Sequence, residues 1–424
     1  MTTTTTPLPD LVAPEFWNRT IEERAADLAV IREAAPFTEW SVLNLLTLAQ
    51  DPFWAATRHA DILEISRNAK VFCSGQGSTA IQDMPPEAAE LFGSFITMDD
   101  PRHARLRGIV SRSFTPRRLQ SVLDSVETIC TEVIDGMCEQ GEVDLVETVS
   151  APFPLLVICD MMGIPRSEFT TVLDATNVIL GSGDPDTLNG ENFFTGLFSA
   201  GQTLIGLMQE VAEHRRANPA DDLTTELIHG VDAGDDVMGP EDLGPFFILL
   251  AVAGNDTTRT ATSLGMHLLG RNPDQKRLWQ KDLDDLAPTA VEEIVRMASP
   301  VTFMRRTVTE PTTLSGNDFD TGDRVVMLYG AANRDPRVFE DPERFDVTRA
   351  PNPHVGFGGP GPHFCLGAHL ARRELAVVFR QLLTRMPDIE PVADPVHLNP
   401  LGIPLVGGVK ELRVRFTPSK PLEA

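Results

Sequence analysis

Cys365 stands in the run Phe357-Gly-Gly-Pro-Gly-Pro-His-Phe-Cys-Leu-Gly367. A sulfur presented from such a loop suits a thiolate bound to iron. Glycine lets backbone approach a flat macrocycle and adopt φ > 0, while Pro360 and Pro362 restrict the loop. Backbone N–H groups beside the sulfur stabilise its charge and tune a metal. From Leu366 the chain reads as a helix, whose N-terminus favours a thiolate. The bland alternative is a free cysteine acting as a small buried hydrophobe. A zinc site on His363 and Cys365 needs two further ligands, and none stands at sensible spacing. A phosphate loop needs Lys-Ser/Thr after its glycines, and none follows.

Three other segments carry residues able to do chemistry. Ala253-Gly-Asn-Asp-Thr-Thr-Arg259 lies in a long helical stretch. A mid-helix glycine costs about 1 kcal/mol against alanine, so Gly254 calls for a reason, such as a ligand lying against the helix. Asp256 and Thr257 offer a carboxylate to bring in protons and a hydroxyl to hold dioxygen and water; threonine also bends the helical ladder locally. The competing reading makes them ordinary polar residues on a helix face. Glu293 and Arg296, three apart, share a helix face and can pair, although exposed pairs contribute only tenths of a kcal/mol. In Asp99-Asp-Pro-Arg-His-Ala-Arg-Leu-Arg107, His103 and Arg107 lie four apart on one face, suited to binding carboxylates by charge-assisted hydrogen bonds.

Together the four segments resemble the cytochrome P450 family, with one departure: Phe357 lies eight residues before Cys365, where the commonest family spacing is seven. The resemblance implies a mainly α fold with a minor β portion, a triangular helical prism holding haem between a long central helix and the Cys loop. It makes Cys365 the iron ligand, with Gly254 and Gly367 beside the haem. His103, Arg107, His363 and either Arg305 or Arg306 become partners of the haem propionates, Arg306 fitting the register better. Asp256 and Thr257 become the proton relay. Glu293, Arg296 and Arg344 become a buried structural triad, since a buried charge left without its partner is strongly destabilising. The cofactor implied is haem b, with O2 and with electrons from NAD(P)H through ferredoxin reductase and ferredoxin. Arg112, Arg117, Arg118, Arg372 and Arg373 would border the Cys side, where an acidic iron–sulfur donor docks.

The same resemblance draws the pocket walls from the segments 75–98, 249–257, 301–304 and 403–406, with Phe95, Ile96, Met98, Leu250, Ala253, Val301, Phe303 and Leu405 as lining. So few polar groups favour an apolar substrate selected by shape. The wording of the helix motif and the long Cys loop resemble the actinobacterial subgroup that hydroxylates sterols and methyl-branched lipids, which implies hydroxylation at or near a chain terminus. Terpenoid or polyketide tailoring is the rival within the family. A non-catalytic haem sensor or carrier, and a peroxide-driven peroxygenase, are the rivals outside it; neither has use for the Asp256–Thr257 pair.

Elements must position these groups. Helical periodicity is clearest at Asp124–Met137, Gly206–Arg216, Pro245–Gly270, Thr289–Ala298 and Leu366–Met386. Phe53–Arg58 and Arg324–Tyr329 read as strands. No linker, repeat or charge block divides the 424 residues, so a disordered tail over 1–15 and a single domain over 16–424 are expected. The threonine-rich start is neither signal nor anchor, and no apolar run reaches the roughly 18 residues of a membrane span. Five cysteines, an odd number, argue against a disulfide framework. A formal charge of −25 disfavours nucleic-acid binding. A cytoplasmic monomer is expected.

Overall fold

The computed structural model describes residues 7–44, 49–83, 92–113, 116–181, 184, 193–230, 236–398 and 403–422. Its helices include α1 (Ile21–Ala34), α2 (His59–Arg67), α3 (Arg102–Ser113), α4 (Pro116–Asp135), α5 (Pro152–Met162), α6 (Phe169–Leu180), α7 (Phe193–Ala217), α8 (Pro240–Arg271), α9 (Leu283–Ala298) and α10 (Ala368–Arg385). The largest sheet is β1 (Phe37–Leu43), β2 (Gln50–Ala56), β3 (Phe72–Cys73), β4 (Phe303–Val308) and β5 (Arg324–Leu328). Its spatial order is β1-β2-β5-β4-β3, antiparallel except for the parallel β2–β5 pair. The protein is mainly α with a minor β portion.

The helix α8 is the spine. Pro240 opens it with Glu241 and Asp242 in the first turn, where the helix dipole favours acids, and Arg271 closes it. Its mid-section is buried on several sides, packed against α5, α7, α9 and α10. The helix starts five residues earlier than its periodicity predicts, and Pro245 lies inside it rather than at its start. The principal core surrounds α8, with Phe246, Phe247, Leu264, Leu268, Leu269, Ile294 and Phe379 fully shielded or nearly so.

The sheet divides two smaller cores by its two-residue alternation. Phe53, Phe303, Val326 and Leu328 face one of them, together with Leu28 and Ile31 of α1. Ala56, Val308, Val325 and Met327 face the other, with Ile62 and Ile65 of α2. The first also takes in Leu11 and Trp17, and the Trp17 indole donates to the Leu11 carbonyl at 2.9 Å. The tail expected over 1–15 is therefore corrected: residues 7–15 are placed, Leu11 being wholly buried, because the sheet leaves an apolar face for them to cover. Residues 1–6 lie outside the described residues. Among the described residues no helix is long and apolar enough to cross a membrane.

Candidate active site

Beneath α8 opens a cavity enclosing about 1480 Å³ of atom-free space, its mouth included. Leu249, Leu250, Ala253, Thr257 and Ala261 form its roof from one face of α8, at the spacing one helical stripe requires. The loop 356–367 and the first turns of α10 form its floor, and Val301, Met304 and Arg306 close the side at the sheet.

Cys365 is walled by protein except toward this cavity, which is where its exposed surface lies. Its amide N–H bonds the Phe357 carbonyl at 2.9 Å, closing the loop on itself. Burial pushes its thiol up, while the Gly367 backbone N–H, Arg107 and Arg372 pull it back toward the thiolate. The helix begins at Ala368 with Gly367 as its N-cap, slightly later than the sequence predicts, so Cys365 lies just ahead of its positive end. The positive φ expected of the glycines is met at Gly358, and Gly361 has a reason that the sequence did not disclose. Gly358 takes φ +85°, and a Cβ on Gly361 would come within 2.1 Å of the Ser66 carbonyl oxygen at the end of α2. The loop is laid against α2, which fixes where its sulfur points. Phe357, despite the longer loop, packs beneath the guanidinium of Arg372, 4.3 Å from its ring centre, and Arg372 pairs with Glu292.

At one end of the cavity basic groups gather. The rings of His103 and His363 lie 4.3 Å apart, and Nε2 of each is buried without a partner. Arg107 and Arg306 line the cavity there, and Arg107 donates to the Phe364 carbonyl. Burial, then Arg306, His103 and Arg107, push His363 down to about 3. Cationic groups so arranged call for anions. The choice between Arg305 and Arg306 is resolved by strand alternation: Arg305 turns to the opposite face and pairs with Asp83 at 2.6 Å.

On α8 the Asp256–Thr257 pair is split by the helical turn of 100° per residue. Thr257 lines the cavity and donates to the Ala253 carbonyl at 2.7 Å. Asp256 does not border the cavity; both its oxygens are buried and unpartnered, and burial, opposed by Arg259, pushes its carboxyl up to about 6. Gly254 borders the cavity as expected, and a Cβ there would meet Ile158 Cδ1 at 2.7 Å, so the glycine also eases the α5–α8 contact.

The remaining pocket assignments are mixed. Phe95, Ile96, Leu250, Ala253 and Val301 line the cavity. Met98, Phe303 and Leu405 do not. Phe303 is corrected to the core behind the sheet because its neighbour Met304 takes the inward side; Leu405 packs on that same core, and Met98 on the principal one. Part of the loop 75–98, residues 84–91, lies outside the described residues.

These features, a sulfur on the floor, a carboxylate-seeking end and an apolar roof, fit a haem. The cytochrome P450 family model matches residues 87–387. A methyl-branched lipid omega-hydroxylase of Mycobacterium tuberculosis is 42% identical over 412 residues, 96% of this chain and 94% of the relative. A steroid C26-monooxygenase of Mycolicibacterium smegmatis is 37% identical, over 86% of this chain and 84% of the relative. A Mycobacterium marinum cytochrome P450 in complex with pseudoionone superimposes with a TM-score of 0.88 at 37% identity, covering 97% of this chain and 100% of the other. The chain belongs to the cytochrome P450 family. It is a P450 monooxygenase, working with haem, dioxygen and reductant-derived electrons.

In this P450 the helix pair Glu293 and Arg296 is wholly buried at 2.7 Å, as expected. The third member is not Arg344. That side chain is 61% exposed, 3.5 Å from Asp346, and contributes only its carbonyl, to Arg296 at 3.1 Å. Arg349 reaches Glu293 instead, at 3.2 Å. The turn at Asp346 brings the later arginine back over the pair, which spacing alone does not reveal. Sequence reasoning also missed Glu374. It lines the cavity, accepts a hydrogen bond from Thr258 at 3.1 Å, and is pushed up to about 8 by burial, so it is protonated at neutral pH. The signal was present: Leu370 and Glu374 share a face of α10, placing an acid in an apolar stripe. Ile158 and Met161 of α5 also line the cavity, brought there by tertiary packing. Among the described residues no group of three or more His, Cys, Asp or Glu gathers as a metal site.

Proposed function

We propose that this P450 hydroxylates a methyl-branched lipid or sterol at or near its chain terminus. The observation that carries the reading is the apolar cavity between α8 and the Cys365 loop, with basic groups gathered at one end. Relatives sharing this chain's length act, by their names, on methyl-branched lipids and on a steroid C26 position. Cys365 is the thiolate ligand of a haem b, and His103, Arg107, Arg306 and His363 hold its carboxylates. Bound there, the haem supplies the iron that activates dioxygen. The protein's part is to bind, orient and protonate. Leu250, Ala253, Val301 and Ile96 hold an apolar substrate against the reacting face and exclude water. Thr257 presents its hydroxyl to that face, and Asp256, whose carboxyl exchanges protons near neutrality, supplies them from the buried side of α8.

The chain works as one domain that includes residues 7–15, cytoplasmic and monomeric, fed from NAD(P)H through ferredoxin reductase and ferredoxin. The arginines expected to border the donor's docking face have partners within the chain. Arg372 pairs with Glu292, and Arg373 and Arg380 with Glu127. Arg112 is hydrogen-bonded to the Asp236 carbonyl, and the side chains of Arg117 and Arg118 lie outside the described residues. Arg112, exposed on α3, is the residue whose charge reversal should slow donor-driven reduction. A second reading, terpenoid tailoring, is favoured by the pseudoionone complex of the Mycobacterium marinum relative.

The test is the visible spectrum of the reduced protein under carbon monoxide, followed by titration with methyl-branched lipids, sterols and terpenes. The red-shifted band of a thiolate-ligated haem, with a spin-state change on adding the lipids or sterols, is expected. A histidine-type spectrum would refute Cys365 as ligand, and a response to terpenes alone would shift the substrate to the second reading.

A further inference from the structure

Tyr329 is the only tyrosine of the chain. It borders the cavity and is 3% exposed. It follows directly on β5. Met327 stands opposite Met304, and Val325 opposite Arg306; two residues beyond Met327, Tyr329 projects from that same face of the sheet. Its ring belongs to the core that contains Val355, where the chain enters the Cys loop. Its amide donates to the Thr302 carbonyl at 3.2 Å, but its hydroxyl bonds no group among the described residues. A buried phenol ordinarily finds a partner, and leaving one without is costly.

Arg306 is also incomplete. It is 6% exposed, and its Nη1 donates to the Arg305 carbonyl at 2.8 Å. No carboxylate of the described residues forms an ion pair with it, although a buried guanidinium needs one. Arg306 is the charged group whose field reaches the Tyr329 phenol. An anion entering the cavity at this corner would satisfy both side chains.

We propose that Tyr329 and Arg306 form one carboxylate-binding pair, the phenol donating its hydrogen bond to the haem carboxylate that Arg306 holds. This rests on the haem reading of the cavity. A haem carboxylate is favoured over the polar end of a substrate because Tyr329 shares its core with Val355, at the base of the Cys loop, and Arg306 acts on His363 within the basic cluster. Tyr329 is thus a cofactor-binding residue that no motif marks.

The experiment compares holoprotein of wild type and Tyr329→Phe, which removes a single oxygen and keeps the buried ring. Haem loss to an excess of a haem-scavenging apoprotein and the midpoint potential are measured on both. Loss about tenfold faster in the variant, with the thiolate spectrum retained and lipid-induced spin shifts unchanged, is expected. As the sole tyrosine, Tyr329 labelled with carbon-13 at Cζ gives one resonance, read in the diamagnetic ferrous carbon monoxide form. That resonance should move when apoprotein takes up haem and stay fixed when lipid is added. Unaltered haem loss and potential in Tyr329→Phe, with a resonance that answers to lipid, would overturn the pair and make the hydroxyl a substrate contact. That result would leave the haem reading standing; a wild-type protein that takes up no haem would overturn both.

Discussion

Thr257 and Glu374 flank the reacting space from roof and floor, and each makes a distinct demand on chemistry. Thr257→Ala should leave haem binding intact while peroxide is released in place of product; product and peroxide measured against reductant consumed give the coupling. Unchanged coupling would argue for a peroxide-driven enzyme and against the relay. Glu374 carries a stability consequence as well. Its folded-state carboxyl titrates at about 8, above the 4.5 of an unfolded chain. A group raised in this way favours the fold below the unfolded value, and that contribution is lost as pH rises through the folded one. Glu374→Gln should therefore raise the melting temperature at pH 8 and change it little at pH 4, by roughly 1 °C per kcal/mol recovered. Calorimetry of the variant at both pH values checks the sign.

The elements place these residues by contacts that the motifs only hint at. The segment after α9 returns to Glu293 through Arg349 and Asn352, then leads into the loop that carries Cys365. Arg349→Ala removes one charged partner of a fully buried carboxylate and should cost about 1–3 kcal/mol. Arg344→Ala removes an exposed side chain and should stay within about 0.5 kcal/mol of wild type. Denaturant unfolding of the two apoproteins separates them, and equal losses would refute the assignment. The Cys loop depends likewise on α2. Gly361→Ala should displace the loop, since its Cβ has no room beside the Ser66 carbonyl; the expected readout is a weakened thiolate spectrum in a protein of normal helix content.

Across the whole molecule the charge is strongly negative, and on the Cys side Arg372 and Arg373 are paired with Glu292 and Glu127. Acid sensitivity is also global. His397 is half-buried beside Arg24 and is pushed down to about 3 by burial, then by Arg24, against a hydrogen bond with the Gly408 backbone, with His267 nearby. His267 is lowered too, by burial, against the pull of Glu22 and Asp394. Between about 6.5 and the folded values the unfolded chain binds more protons than the folded one, so stability falls as pH falls through that window. His397→Gln should flatten the decline between pH 6 and pH 4 in thermal melts, and an unchanged slope would count against it.

The sequence by itself determined the ligand loop, the helix motif and the Glu–Arg pair, because each depends on residues close along the chain whose spacing maps directly onto a helix face or a tight loop. Cys365, Thr257, Glu293 and Arg296 could be read that way. Which of Arg305 and Arg306 faces the cavity depended on the phase of a strand, since a one-residue shift exchanges the two faces. The tertiary structure alone decided the third arm of the triad, the reason for Gly361 and the pairing of the surface arginines. Arg349, Ser66 and Glu127 lie far along the chain from the partners they meet, and such contacts are set by how α8, α10 and the sheet pack rather than by any local period. Tyr329 belongs with these, and Glu374 in part: the sequence shows an acid in an apolar stripe, but a buried polar group shows its purpose only once the empty space beside it is known.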